Sequence, residues 1–312
     1  MDRRVFVVYD RNVEWFAEKV CAEHGASASL AIEATEDTKN IDTVMDICRW
    51  LLDQGADRKV LVIAVGGGVT TDMVGFAACI YKRGVAFANV PTTLLSQVDA
   101  GIGGKTGANL DGYKNIIGVI RQPEFVEISS EPLRTLPEVE FRSGAAEMLK
   151  TFIIKDEGNY EKAVKILSQK PSERNQDDFT ALIKAAGDVK REVVEIDPYE
   201  KGLRKVLNLG HTYAHAIEWY QHTHPCDKPC THGEAVAIGM VQAALLSEKL
   251  GVAKTPLSGK IAADLKACGL PVELPCPAEE LEAAMHKDKK AEGDKINFVL
   301  IEEIGKVVIK KI

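Results

Sequence analysis

The residues able to do chemistry are unevenly placed along this chain. Of its seven histidines, five fall between His211 and His232. His211 and His215 lie four apart in NLGHTYAHAIE, so a helix would carry both on one face, with Glu218 one turn further on. His232 opens HGEAVAIGM, the start of another apolar helical stretch. Imidazoles are common metal ligands, and a carboxylate would complete a three-ligand catalytic site with an open position. Glu147 in GAAEMLK is the carboxylate candidate, because its small neighbours leave a polar side chain room to reach inward. His222 and His224, among Gln, Thr and Pro, read as solvated surface residues. The segment HTHPCDKPCTH invites a zinc reading through Cys226 and Cys230. It has no second cysteine pair at finger spacing and prolines interrupt it, so a polar surface loop is the better expectation.

Glycine forms a second concentration. Gly66-Gly67-Gly68 follows an apolar run and opens a helical pattern, where bare backbone N–H groups suit a phosphate or pyrophosphate. The spacing is not G-x-G-x-x-G, and no acid follows at the usual distance, where Ala88 and Asn89 stand. A second cluster, Gly101 to Gly107 around Lys105, lacks the spacing of a P-loop, which disfavours an ATPase. Cations in unusual company are a third feature. Lys105 follows glycines, Lys114 precedes Asn115, Lys150 lies one helical turn from Glu147, Lys289 follows Asp288, and Lys190 and Arg204 flank the turn EIDPYEKG. Such groups can form a pocket for phosphate or carboxylate.

The elements that must position these residues follow from periodicity. Strand-like runs at 5–9, 26–34, 59–65 and 85–90 alternate with helical patterns at 13–24, 40–54 and 71–81. Short connectors between them predict an α/β, Rossmann-like N-terminal domain with a parallel sheet. After Pro137 helical patterns dominate, at 144–155, 179–195, 207–220, 233–250, 258–268 and 279–286, with a hairpin expected at 296–309. A mainly α-helical C-terminal domain is therefore expected. The two domains are set at 1–132 and 133–312, the boundary lying in the proline-bearing stretch 129–137.

The chain has 312 residues and a net charge of −7, which argues against general nucleic-acid binding but allows a local anion pocket. Its longest apolar runs fall far short of the ~20 residues of a membrane span, and the N-terminus lacks the apolar region of a signal peptide. Seven scattered cysteines fit no disulfide framework, so reduced thiols in a cytoplasm are expected.

Taken together, GGGVTTDMVGFAACIYKRG, FANVPTTLLSQVDAGIGGKTGANL, YKNIIGVIRQP, RSGAAEMLK, LRKVLNLGHTYAHAIE, HGEAVAIGM and DKKAEGDKINFVL resemble the 3-dehydroquinate synthase family of sugar phosphate cyclases. That family shares its fold with glycerol dehydrogenases and iron-containing alcohol dehydrogenases. The resemblance runs in order from Asp10 to the C-terminus. It implies NAD, one divalent metal (zinc or cobalt) and a homodimer. The implied metal ligands are Glu147, His211 and His232. The implied cofactor contacts are Asp10, Glu36, Lys39, Gly67, Gly68, Asp72, Thr92, Thr93, Thr135 and Leu136; acids ahead of the glycine loop would hold the adenosine ribose. The implied substrate pocket is Asp99, Lys105, Lys114, Asn115, Lys150, Lys190, Arg204, Asn208, His215 and Lys289. His215 would transfer protons, while Lys105, Asn115 and Lys150 would hold the phosphate. The implied reaction is a carbon–oxygen lyase step of the shikimate pathway. It turns a seven-carbon keto-acid sugar phosphate into 3-dehydroquinate by transient oxidation, phosphate elimination, reduction and aldol closure. Ala214 stands where the family commonly has Gly, and Ile120-Arg121 replaces a commoner aromatic pair. Another sugar phosphate cyclase, an NAD- and metal-dependent alcohol or glycerol dehydrogenase, and a non-catalytic phosphate-binding module are the alternatives.

Overall fold

The computed structural model describes residues 3–224, 228–281, 285 and 296–312. The chain divides into two compact units, Met1–Leu136 and Pro137–Ile312.

In the first unit four strands make one parallel sheet in the order β2-β1-β3-β4: β1 (Val5–Asp10), β2 (Ala28–Ile32), β3 (Leu61–Gly66) and β4 (Ala86–Pro91). β3 is buried along its whole length, as its unbroken apolar run requires. Alternate side chains face opposite ways. Phe6, Val8, Val62 and Ala64 pack with Val44, Ile47 and Leu51 of α2 (Ile41–Asp53) and with Met73, Val74 and Ala77 of α3 (Gly68–Ile80). Val7, Tyr9, Ile63 and Val65 pack with Phe16, Ala17 and Val20 of α1 (Glu14–Glu23) on the other face. From β1 the chain goes to one side of the sheet, and from β3 to the other. Their carboxyl ends therefore flank the switch point where open α/β sheets bind ligands.

Two features of this unit differ from the sequence expectation. α3 begins at Gly68 rather than Thr71, so the glycines themselves form the helix N-terminus. The strands also do not end at β4: β5 (Lys105–Leu110) and β6 (Tyr113–Ile120) form an antiparallel hairpin at and beyond the second glycine cluster, where periodicity predicts no element. Asp111 and Gly112 both take positive φ, 49° and 83°, which is the turn that closes a two-residue hairpin.

The second unit is helical: α4 (Glu138–Lys155), α5 (Glu157–Leu167), α6 (Gln176–Ile196), α7 (His211–Thr223), α8 (His232–Lys249) and α9 (Ser258–Ala267). The hairpin β7 (Asn297–Glu303) and β8 (Lys306–Lys311) follows, as expected. It is fastened by Ile301 N–H to Ser247 Oγ of α8 (2.8 Å) and by Gly305 N–H to Ile153 O of α4 (2.8 Å). α5 was not foreseen. The helix expected over 207–220 starts only at His211, after a 3-10 turn over Leu203–Asn208. Gly210 breaks it with φ +79°, and a Cβ there would lie 2.9 Å from Val236 O. The helical stretch expected at 279–286 lies partly outside the described residues. No helix among the described residues is long and apolar enough to cross a membrane.

Candidate metal centre and cofactor platform

Three helices of the second unit bring a carboxylate and two imidazoles together. α4 supplies Glu147 from its buried face, α7 supplies His211 as its first residue, and α8 supplies His232 as its first residue. Glycines allow the helices to meet this closely. A Cβ at Gly233 would fall 2.2 Å from Ser143 O of α4, and one at Gly239 would fall 2.1 Å from Gly210 O. Ser143 Oγ accepts the Gly233 N–H at 3.1 Å, and Thr231 with Glu234 closes a capping box at the start of α8. His232 thereby stands one turn of α4 away from Glu147.

One ligand atom from each of Glu147, His211 and His232 lies within 4.8 Å of the others. Glu147 Oε1 is 3.7 Å from His211 Nε2 and 3.6 Å from His232 Nε2. The glutamate is wholly buried, and among the described residues its one close charged partner is the Lys150 ammonium, 2.5 Å from Oε2. A buried carboxylate is costly unless cations compensate it. Two imidazole nitrogens facing the same oxygen fit a divalent ion with an open position.

The other nitrogens of both rings are engaged. His211 Nδ1 lies 3.2 Å from Leu209 O and His232 Nδ1 lies 3.0 Å from Glu218 Oε1. Donation from Nδ1 leaves each Nε2 lone pair facing Glu147, the arrangement that orients metal-binding histidines. The two rings differ in acidity. Burial, then the nearby Lys150 ammonium, pushes His211 well below the usual imidazole range. Burial also opposes charge on His232, but Glu218 and Glu147 outweigh it and hold its pKa above the usual value. Glu218 was seen in the sequence only as a residue on the His211 face. Its bond to His232 crosses from α7 to α8, which spacing within one helix does not reveal. His215 is exposed, with its ring 5.6 Å from that of His211.

Arg204 and Asn208 follow the turn EIDPYEKG, and Lys190 precedes it on α6. Asp197 accepts the backbone N–H groups of Gly202, Lys201 and Arg204, and these bonds hold its carboxyl below the usual range. Arg204 is buried and donates from Nη1 to Pro198 O at 2.7 Å; Lys190 is buried on α6. Asn208 donates to Glu200 Oε1 at 2.9 Å. Lys289 lies outside the described residues, as does Cys226. His224 is exposed and stacked on Tyr220, in line with the surface reading of that loop.

In the first unit Asp10, Gly67, Gly68, Thr92 and Thr93 stand at the carboxyl ends of β1, β3 and β4. Asp10 ends β1 and accepts the Asn12 N–H at 3.0 Å; burial raises its pKa. Gly67 caps α3 without a side chain, and a Cβ on it would lie 3.0 Å from Thr93 Cγ2. A Cβ on Gly68 would lie 3.0 Å from Ala100 Cβ, so the backbone there stays bare. Thr92 N–H bonds Gly66 O at 2.9 Å, and Thr93 Oγ1 bonds Ser96 Oγ at 2.9 Å. Gln97, fully buried and not foreseen, donates to Pro91 O and Ser129 O and fixes the π-helical turn Ser96–Ala100 that carries Asp99. Lys39, buried, reaches Asp72 Oδ2 and Asn115 Oδ1, each at 2.6 Å, and so joins two expected cofactor residues to a substrate one. Lys105 and Lys114 are exposed on the hairpin. Thr135 and Leu136 bond locally, to Pro132 and Leu133.

This geometry can be set against known proteins. Residues 29–143 match the family described as 3-dehydroquinate synthase N-terminal, and residues 144–291 match 3-dehydroquinate synthase C-terminal. The 3-dehydroquinate synthase of Acidithiobacillus ferrooxidans is 40% identical over 98% of this chain and 84% of its own. A crystal structure of 2-deoxy-scyllo-inosose synthase with carbaglucose-6-phosphate, NAD+ and Co2+ superposes with a TM-score of 0.86 at 25% identity, over 99% of this chain and 88% of that one. The 2-epi-5-epi-valiolone synthase of Streptomyces hygroscopicus, with NAD+ and Zn2+ bound, gives 0.86 at 27% identity, over 99% and 87%. Matched in both halves and across nearly its whole length, the chain belongs to the 3-dehydroquinate synthase family.

Proposed function

We propose that this protein converts 3-deoxy-D-arabino-heptulosonate 7-phosphate to 3-dehydroquinate and phosphate, as a phosphate-eliminating lyase of the shikimate pathway. The observation that carries the reading is the wholly buried Glu147 carboxylate facing two oriented imidazoles in a chain of this family. The first unit is then the NAD-binding domain and the second the metal- and substrate-binding domain.

A divalent ion held by Glu147, His211 and His232, zinc or cobalt, would supply Lewis-acid polarisation of a substrate hydroxyl. NAD on the bare backbone of Gly67 and Gly68 would supply a transient hydride acceptor, with Asp10 and Glu36 for the ribose and Thr92, Thr93, Thr135 and Leu136 as the further contacts that the resemblance implies. The chain's own residues do the rest. Leu209 and Glu218 hold the two imidazoles by Nδ1 and present Nε2. Lys150 stands 2.5 Å from Glu147, and the family resemblance gives the phosphate to Lys105, Asn115 and Lys150. His215, one turn from a metal ligand, moves protons. Lys190, Arg204 and Lys289 take the carboxylate end, with Asp99, Lys114 and Asn208 positioning hydroxyls. A homodimer in the cytoplasm completes the reading.

Phosphate release from the keto-acid sugar phosphate tests the reading, with and without chelator and added NAD. Release that needs both metal and NAD, and that yields 3-dehydroquinate, is expected. Undiminished release after exhaustive chelation, or equal turnover of sedoheptulose 7-phosphate, overturns it.

A further inference from the structure

The β5–β6 hairpin is irregular at one place. Its ladder pairs Ala108 with Ile117 and Leu110 with Tyr113, so Lys114, Asn115 and Ile116 together stand opposite Asn109. A bulge of this kind re-aims side chains and concentrates near active sites. Asn115 within it takes φ +56°, a left-handed conformation that asparagine accepts more readily than other non-glycine residues and that its hydrogen bonds here fix in place.

Asn109 does the holding, and its grip extends to the other side of the platform. Its Oδ1 accepts the Asn115 N–H at 2.9 Å. Its Nδ2 donates to Glu36 Oε1 at 2.8 Å. Its own N–H donates to Lys39 O at 2.8 Å, and it bridges to Asn40 as a short parallel pair. Lys39 in turn reaches back to Asn115 Oδ1. One amide side chain thus uses its acceptor on the bulge and its donor on an acid of the 33–40 segment. Neither an aliphatic residue nor a carboxylate does both.

We propose that Asn109 is a positioning residue that sets Glu36 for the cofactor and Asn115 for the substrate phosphate at the same time. The proposal rests on the functional reading above. It predicts a split between two variants. Asn109→Ala removes both bonds. Asn109→Asp keeps the acceptor for Asn115 but puts a carboxylate against Glu36.

Three measurements on the full chain separate the outcomes: amide hydrogen exchange at Asn115, the Kd for NAD by titration, and KM and kcat for the sugar phosphate. In Asn109→Ala, exchange at Asn115 should quicken and both the NAD Kd and the substrate KM should rise, each roughly three- to tenfold for one lost hydrogen bond. In Asn109→Asp, Asn115 exchange and substrate KM should stay within about twofold of wild type while NAD alone weakens, roughly tenfold. A general loss of structure would move all of these together. Wild-type values throughout in Asn109→Ala, or parallel losses in the two variants, overturn the proposal while leaving the cofactor reading intact. A wild-type protein that binds no NAD overturns both.

Discussion

His211 illustrates how much chemistry a single side chain holds here. It begins α7, faces the buried Glu147, and is turned by a backbone carbonyl at its far nitrogen. Replacing it by Ala removes one of three ligand atoms and should abolish metal binding and activity together. Unfolding should remain cooperative, because the ring is not part of the apolar core; metal content by elemental analysis and a denaturant titration check this. Glu218 has a different share. It is not one of the three ligands but fixes His232 through Nδ1, and such partners typically contribute about 10- to 100-fold in metal affinity. Glu218→Ala should fall in that range by competition with a chromogenic chelator. The sign of the pH dependence follows from His232. Its pKa in the metal-free protein is raised, so it keeps its proton to higher pH than an ordinary imidazole. Metal must displace that proton, so affinity should fall as pH drops through this raised pKa, by about tenfold per pH unit for each proton displaced. Affinity independent of pH between neutral and mildly acid conditions would contradict it. Glu147, His211 and His232 were legible in the sequence as residue types: a cluster of histidines, and a carboxylate among small neighbours. Glu218 as the partner of His232 was not, because that bond joins two helices.

Helices and hairpins set the limits on these side chains. α8 can begin beside α4 because residue 233 is glycine: a Cβ there would sit 2.2 Å from Ser143 O, which is backbone and cannot turn aside. Gly233→Ala should therefore push the start of α8, and His232 with it, away from Glu147. Overpacking of this kind destabilises by about 1–3 kcal/mol, and metal affinity should fall with it, although no ligand has changed. Unchanged affinity in a destabilised variant would show that His232 is placed by other contacts. The far end of α8 carries a pH-sensitive tie. Glu248 accepts the N–H groups of Ser258 and Leu257 and the Ser258 hydroxyl, and the Ser258 N–H above all lowers its pKa. That stabilisation is present above the ordinary glutamate pKa and is lost as pH falls through the lowered folded value. Glu248→Ala should thus be less stable than wild type at neutral pH, and the two should converge in acid; a constant gap across the titration would refute the tie. At this scale the sequence was readable where apolar periodicity is strong, as in β3 and α2. It gave no strands at β5–β6, where β5 is buried but carries only small and polar residues and β6 is apolar yet exposed, so neither alternates, although Asp111-Gly112 was a turn signal in plain view. α5 was passed over among charged residues, and Gly210 stopped a helix that periodicity alone would have continued.

At the scale of the molecule, the parallel sheet followed by a helical half was predictable from how the two periods alternate and then give way. Charge distribution was less so. The chain carries a net −7, yet Lys150, Lys190 and Arg204 are buried in its second unit. Burying three cations in an acidic protein is costly and suits a site that receives anions. The proposed substrate has two, a phosphate and a carboxylate at opposite ends of one sugar, and needs two separated cationic groups. The function proposed above gives the phosphate to Lys105, Asn115 and Lys150 and the carboxylate to Lys190, Arg204 and Lys289. Arg204 is the member best suited to the latter, because a guanidinium can meet a carboxylate through two parallel hydrogen bonds, while its backbone and Nη1 are steadied by Asp197 and Pro198. A charge-assisted contact of this kind contributes about 1.5–3 kcal/mol net, roughly 10- to 150-fold in binding. Lys keeps the charge but not the fork. Arg204→Lys should therefore weaken the carboxylated sugar phosphate by at least about tenfold in KM, with little change in affinity for phosphate analogues that lack the carboxylate. Competition by such analogues against the natural substrate, in wild type and variant, reads both numbers in one experiment. An equal loss for carboxylated and uncarboxylated ligands would move Arg204 from specificity to the structural support of its own turn.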